Sequence, residues 1–201
     1  MIKLLFKTGI IILTIIGIIT VLRNTMFKDA VDEFLTPTRE QCIKKAEKMY
    51  DLSGTDKEFE FVRVGKVPFV GEYILINHKA SDQKTLILKP TTKDLPTKKD
   101  FEQKTAEKKI NDYLNKFQYQ FVRIENFTVT GRGSLKILGQ KAPFIKFDAD
   151  AVNLPVKGLE GMIIAAETKD KESTLIITVN DAEKYSNIIT NAMIYKIKQK
   201  K

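Results

Sequence analysis

The chain has 201 residues, of which 34 are Lys or Arg and 25 are Asp or Glu, so its net charge is +9. This length, with an apolar fraction of 43%, is enough for one domain with a real core and excludes a chain that is disordered throughout. The single cysteine, Cys42, and the single histidine, His78, exclude a disulfide scaffold and a multi-thiolate zinc site, and they suggest no Ser-His-acid triad.

The first predicted element is a membrane-spanning helix. Thr8–Leu22 carries no charge, and Leu4–Phe6 extends this apolar run if Lys7 snorkels to the headgroups. The 19 residues from Leu4 to Leu22 would form a helix about 28 Å long, which is enough to cross the hydrocarbon core. We therefore expect residues 1–22 to be an uncleaved anchor that contacts the lipid bilayer through residues 4–22.

Two other interpretations of this segment stay open, a cleaved signal peptide and a buried core helix. The end of the run, Ile19–Leu22, contains no A-x-A-like cleavage site, and no cysteine directly follows that could take a lipid. Lys3 and Lys7 with the α-amine precede the run, whereas Arg23 and Lys28 follow it. This balance favours a cytoplasmic N-terminus. We expect a single-pass protein of the inner membrane, with residues 23–201 in the periplasm.

Residues 23–57 are predicted to be juxtamembrane helices and a linker. Met26–Leu35 has helical spacing of its apolar residues and is expected to continue the anchor as a collar at the membrane surface, or to be a simple stalk. Thr36–Thr38 breaks this helix and caps a second one that ends near Tyr50. Cys42 lies on its apolar face, so we predict a small buried hydrophobe and not a nucleophile. The whole face comprises Cys42, Ile43, Ala46, Met49 and Tyr50.

The apolar spacing then changes from helical to strand-like. We predict strands over residues 59–64, 69–76 and 85–88, with Gly71 as a bulge or bend and Lys79–Gln83 as a hairpin turn. His78 falls at the end of a strand, where a surface histidine is expected. A metal-binding or catalytic role for His78 would need partners that the sequence does not identify.

The second half begins with a long predicted helix, Lys98–Phe117, which Thr97 and Asp100 start. Its apolar stripe comprises Ala106, Ile110, Tyr113, Leu114 and Phe117. Five strands are predicted after it: Phe121–Thr130, Leu135–Leu138, Phe144–Phe147, Met162–Ala166 and Thr174–Val179. The turns between them are predicted at Gly131–Gly133, Gly139–Lys141 and Lys169–Lys171.

A final helix is predicted from Asp181, with Asn180 as its cap and Glu183 at the capping-box position. Its apolar face is predicted to comprise Ala182, Tyr185, Ile189 and Ala192, with Ile188 and Tyr195 beside it. The predicted fold class is α+β, an N-terminal transmembrane helix followed by a largely antiparallel sheet covered by amphipathic helices. The expected organisation is an anchor (1–22), a juxtamembrane region (23–57) and an α+β globular domain (58–201).

From about Val67 to Ile197 the order of elements resembles the PsbP/Mog-like fold, which includes periplasmic DcrB-type lipoproteins. The resemblance lies in four parts: the hairpin Tyr73–Leu88, the helix Lys98–Phe117, the turn and strand Gly139–Phe147, and the hairpin Met162–Val179 that runs into the last helix. An uncleaved anchor in place of a lipidated cysteine departs from that pattern, and residues 23–57 have no counterpart. The resemblance implies a non-enzymatic assembly factor, binding module or chaperone-like protein. The resemblance identifies no catalytic residue in this chain, because none belongs to the fold as such.

Three features of the sequence resemble sites, and each is better explained by a structural role. Asp148 and Asp150 would share one face of a strand, but the third and fourth acidic ligands of a calcium site are missing. Thr130–Ser134 is glycine-rich without matching a phosphate-binding loop. A Ser-Lys dyad is not excluded by the sequence. We predict no catalytic, cofactor-binding or metal-binding residues and no cofactor.

The favoured function is a membrane-anchored, non-enzymatic extracytoplasmic binding or assembly module of the cell envelope, whose partner is another envelope protein. One alternative is a small-ligand carrier or enzyme that uses a cavity between sheet and helix. Another is a structural component of a secretion, pilus or conjugation apparatus, although the processing signature of pilins is missing. Nucleic acid is not an expected partner, because the lysines are dispersed apart from the C-terminal Lys196–Lys201.

Overall fold

The computed structural model describes residues 39–67, 70–115, 123–152, 156 and 158–199. The predicted anchor, the predicted collar Met26–Leu35 and the predicted cap Thr36–Thr38 lie outside these residues. Within the described ranges, no helix is long and apolar enough to cross a membrane.

The described residues form four helices and seven strands. In chain order these are α1 (Arg39–Met49), β1 (Phe59–Val67), β2 (Gly71–His78), β3 (Lys84–Pro90), α2 (Lys98–Glu102), α3 (Ala106–Asn115), β4 (Arg123–Ile137), β5 (Gln140–Val152), β6 (Leu159–Glu167), β7 (Ser173–Asp181) and α4 (Asn187–Lys196). The strands form one sheet in the order β1-β2-β3-β7-β6-β5-β4, and neighbouring strands are antiparallel. The predicted α+β class with an antiparallel sheet is confirmed.

Helices cover both faces of the sheet. Because side chains alternate along a strand, Ile87 and Ile176 point to one face, and their neighbours Leu86 and Ile177 point to the other. The first face packs against α1 and α4, and the second packs against α2 and α3. Burial on both sides explains why Met162–Ala166 of β6 is apolar without interruption.

The predicted turn at Gly131–Gly133 is wrong, because these residues lie inside β4. Gly133 pairs with Phe144 on β5, and a Cβ atom at Gly133 would lie 2.6 Å from Cζ of that ring. The glycine therefore leaves room for the ring and does not end the strand. The turn of the β4–β5 hairpin is at Leu138 and Gly139, which have φ angles of 52° and 77°. The two short strands predicted around it are parts of β4 and β5.

The predicted long helix Lys98–Phe117 is two helices, α2 and α3. Its predicted start is confirmed, because the Asp100 carboxylate accepts hydrogen bonds from the Thr97 N–H and hydroxyl, each at 2.7 Å. Lys104 has a φ of 60°, and the Thr105 N–H donates to the Asp100 carbonyl at 2.8 Å. This is a Schellman closure of α2 with lysine in the position that glycine usually takes. In α3, Ala106, Ile110 and Tyr113 are buried as predicted, and Phe117 lies outside the described residues.

The Asp100 carboxylate should make stability depend on acid pH. Burial opposes ionisation, but the hydrogen bonds from Thr97 and Lys109 outweigh it and lower the pKa of Asp100 to about 2. Because the pKa of Asp100 is lower in the folded than in the unfolded protein, its carboxylate stabilises the fold at pH values above the unfolded-state pKa of about 4. This stabilisation is lost as the pH falls toward about 2. We expect Asp100→Asn to unfold more readily than the unmodified protein at pH 7, with the difference vanishing as the pH falls through that window.

Chemical denaturation at several pH values in a non-ionic detergent measures this effect. Glu102→Gln, on the exposed end of the same helix, is the matched control and should change the free energy of unfolding by less than about 0.5 kcal/mol at pH 7. An Asp100→Asn deficit that stayed constant from pH 7 to about 2 would contradict the prediction.

A second prediction concerns Gly161 on β6, over which the Phe147 ring lies. A Cβ atom at Gly161 would lie 2.4 Å from the Thr178 carbonyl oxygen and 2.5 Å from Cζ of Phe147. Gly161→Ala should therefore lower the free energy of unfolding by about 2–4 kcal/mol. Gly131→Ala is the control, because its Cβ atom would meet only Lys146 side-chain carbons at 3.6 Å. Equal unfolding midpoints for the two variants would refute this account of Gly161.

Candidate interaction surface

The N-terminal end of α4 is fixed to the sheet by one buried glutamine. Gln83, which precedes β3, is 1% exposed. Its Nε2 donates to the Ser186 carbonyl at 3.1 Å and to Thr190 Oγ1 at 2.8 Å, and its Oε1 accepts from the Ser186 N–H at 2.8 Å. Ser186 is the N-cap of α4, and its hydroxyl accepts from the Ile189 N–H. The β2–β3 turn thus determines where the helix starts.

Three hydroxyl groups continue this network between α4 and β7. Tyr185 OH lies 3.0 Å from Thr190 Oγ1 and 3.2 Å from Thr178 Oγ1, and both threonines are completely buried. Burial raises the pKa of the Tyr185 phenol, which therefore stays neutral. A buried network in which each member has a partner specifies one position for the helix.

The C-terminal end of α4 is held by backbone and charge. Lys198 and Asp51 exchange backbone hydrogen bonds, with N–O distances of 3.0 and 2.9 Å, in an isolated antiparallel bridge. Lys196 forms an ion pair with Glu58, and its hydrogen bond lowers the pKa of the Glu58 carboxyl. The Lys196 ammonium also lies 5.3 Å from the centre of the Phe59 ring. Helix α4 is therefore attached at both of its ends.

The outward side of α4 exposes two large apolar side chains. Ile188 is 81% exposed and Tyr195 is 78% exposed, and they are the large hydrophobic residues that the described structure leaves exposed. They lie about two helical turns apart on one side of α4, with the half-buried Ala192 between them. We call Ile188, Ala192 and Tyr195 the α4 ridge.

This arrangement corrects the predicted C-terminal helix. The helix begins at Asn187 and not at Asp181, because β7 extends to Asp181 and a turn follows in which the Lys184 and Tyr185 N–H groups bond to the Asp181 carbonyl. The residues that α4 buries are Thr190, Met193 and Ile194. Of the predicted face, Ala182 is exposed and lies before the helix, and Tyr185, Ile189 and Ala192 are half-buried.

Exposed lysines lie at both ends of the ridge. Lys184 precedes α4 and Lys198 follows it, and both side chains are exposed. The sequence from Asn187 to Lys201 contains four lysines and no Asp or Glu. Helix α1, on the same face of the sheet, adds the exposed Lys44, Lys45 and Lys48, alternating with Glu40 and Glu47. Exposed lysines therefore lie at both ends of the ridge, together with the exposed Glu183 beside Lys184.

The other candidate residues of the sequence do not come together in one place. Cys42 is 2% exposed in the core, as predicted. His78 ends β2, where its Nδ1 lies 2.9 Å from Ser81 Oγ and its ring meets Phe59 edge-on. Asp148 and Asp150 are exposed on β5, and Asp150 accepts a hydrogen bond from Asn126. In the described part of the chain, no group of three His, Cys, Asp or Glu side chains is placed to hold a metal ion.

Comparisons with known proteins find structural similarity but no sequence relative. No family model matches the chain, and no curated protein matches it. Among solved structures, the chain is similar to cyanobacterial PsbP (CyanoP) from Synechocystis sp. PCC 6803, with a TM-score of 0.39 and 12% sequence identity. The similarity covers 70% of this chain and 84% of that one.

The role assigned to Gln83 predicts the effect of removing its side chain. Gln83→Ala leaves the Ser186 N–H and carbonyl groups without their side-chain partner, and should lower the free energy of unfolding by about 2–4 kcal/mol. Hydrogen exchange of the α4 amides should also accelerate more than exchange in β6. Gln103→Ala, at an exposed helix end, is the control and should change neither quantity measurably. Unchanged α4 exchange in Gln83→Ala would refute the assigned role.

Proposed function

We propose that this chain is a membrane-anchored, non-enzymatic, extracytoplasmic binding or assembly module of the cell envelope. The observation that carries the proposal is the α4 ridge, an apolar surface on a helix whose other side is fixed at both ends. A large apolar side chain exposed once is ordinary, but two on one side of a fixed helix are typical of a contact surface.

The tether is the second part of the proposal. Residues 1–22 would cross the inner membrane once with the N-terminus in the cytoplasm, and the α+β domain would lie on the periplasmic side. The first described residue, Arg39, begins α1, which shares a face of the sheet with α4. The chain between Leu22 and Arg39 can extend to at most about 60 Å. The domain would therefore stay close to the bilayer, with the chain entering it on the face that carries the ridge.

The expected protein partner is another component of the envelope, and neither nucleic acid nor a cofactor has a part in the proposal. The order of elements that resembles PsbP/Mog-like and DcrB-type periplasmic modules fits this expectation. A module of this kind acts by position, because the anchor concentrates the domain at the membrane, where its partner would also be held.

The anchor is tested by placing charge in its apolar run. Ile15→Arg together with Ile16→Arg should release the chain from membranes in alkaline carbonate, because each central arginine costs about 2.5–3.5 kcal/mol on insertion scales. Ile15→Leu with Ile16→Leu is the matched control and should stay in the membrane pellet. Release of the unmodified protein by carbonate would refute the tether.

Partner capture tests the rest of the proposal. Lysine-reactive crosslinking in cells, followed by mass spectrometry, should recover a discrete envelope protein with the leucine variant and not with the arginine variant. Recovery of the same partner by both variants would show that the tether is not needed for binding. No partner with either variant would contradict the binding function.

A further inference from the structure

We propose that the α4 ridge and the lysines at its ends rest on an anionic bilayer surface. The inference rests on the proposed tether, and it names lipid and not protein as the component that covers the ridge. The contact would hold the domain in one orientation and leave its other surfaces free for the envelope partner.

The side chains of the ridge suit the boundary between headgroups and acyl chains. Ile188 offers a purely apolar group, and Tyr195 offers a ring with a polar tip, the combination that residues at membrane interfaces use. Both are exposed by about four-fifths, at 81% and 78%. Since Gln83 fixes one end of α4 and the bridge between Asp51 and Lys198 fixes the other, neither side chain needs a rearrangement to reach lipid.

The charges around the ridge favour anionic lipid. Lys184 and Lys198 lie at opposite ends of α4, and Lys200 and Lys201 follow in the sequence. Lys196 is already paired with Glu58. Because no Asp or Glu occurs from Asn187 to Lys201, the ridge itself carries no carboxylate that anionic headgroups would repel. Each lysine that reaches the surface should strengthen binding about fivefold.

The size of the ridge also favours a bilayer. A stable protein interface buries about 800 Å² on each partner and involves about 20–30 residues a side. Two exposed side chains are a small fraction of such an interface. Two side chains are enough to dock a tethered domain on lipid, because the tether keeps the local concentration of the domain at the membrane high.

The test is a depth measurement on the full chain in vesicles. A fluorophore is attached at Asn191→Cys, an exposed position on α4 beside the ridge. The native Cys42 is only 2% exposed, so it should not react with the fluorophore in the folded protein. The unmodified chain verifies that labelling is selective. Vesicles of phosphatidylcholine alone are compared with vesicles in which about one-third of the lipid is phosphatidylglycerol. Quenchers are a doxyl-labelled lipid and a water-soluble nickel chelate.

We expect the doxyl lipid to quench the label at Asn191→Cys in the anionic vesicles, and less so in phosphatidylcholine. The same label at Ser134→Cys, an exposed position on β4, should be quenched by the aqueous chelate in both. Ile188→Ser and Tyr195→Ser should each lower the ratio of docked to free domain about tenfold. Lys184→Gln with Lys198→Gln should lower it in anionic vesicles only, and Lys136→Gln on β4 should leave it unchanged.

Two results would overturn the inference. If the chain resists carbonate extraction but the labels at positions 191 and 134 are equally accessible to the aqueous quencher, the ridge does not touch lipid, and the tethered binding function still stands. If the chain is not retained by the vesicles at all, the tether fails and the inference fails with it. In cells, a photocrosslinker at position 191 should capture lipid. If it captures a protein and no lipid, the ridge contacts that protein and the inference is wrong.

Discussion

The fold depends on burying an antiparallel sheet on both of its faces. The central strands β3, β7 and β6 alternate two sets of apolar side chains, so neither face can be left to water. Helices α2 and α3 cover the second face, and α1 and α4 cover the first. Glycine is needed where a ring must lie against a strand, at Gly133 beneath Phe144 and at Gly161 beneath Phe147.

Helix α4 meets this constraint in an unusual way, because it carries large apolar side chains on both its buried and its exposed side. A helix of that kind is normally buried all round. Here the buried side is chosen by polar contacts: Gln83 positions the N-cap, and Thr190 meets Thr178 and Tyr185 at the sheet. Once those bonds are made, Met193 and Ile194 face the core, and Ile188 and Tyr195 must face outward. The exposed ridge is thus a consequence of how the helix is attached.

These contacts also explain which parts of the structure can be predicted from sequence. The strands, the β2–β3 hairpin, the buried face of α1 and the capping box at Thr97 follow from local periodicity and cap residues. Local sequence rules do not predict the structure where a residue distant in the sequence determines the local conformation. Gly131–Gly133 looks like a turn until Phe144 is placed opposite it, and Asn180 looks like a cap until Gln83 selects Ser186. Lys104 carries no glycine signal for the end of α2. The ridge cannot be predicted for the same reason, since a helix with apolar residues on opposite sides does not indicate which side is exposed.

The attachment of α4 bears directly on what the ridge can do. A mobile apolar helix would fold back onto the core or bind indiscriminately, whereas a helix fixed at both ends presents Ile188 and Tyr195 at constant spacing and depth. Binding then costs little conformational entropy, because the side that is not in contact is already ordered. Combined with the proposed tether, which would enter on the same face of the sheet, this rigidity would let a surface of two large side chains set the orientation of the whole domain. In that orientation the edge strands β1 and β4 would remain available to the proposed protein partner.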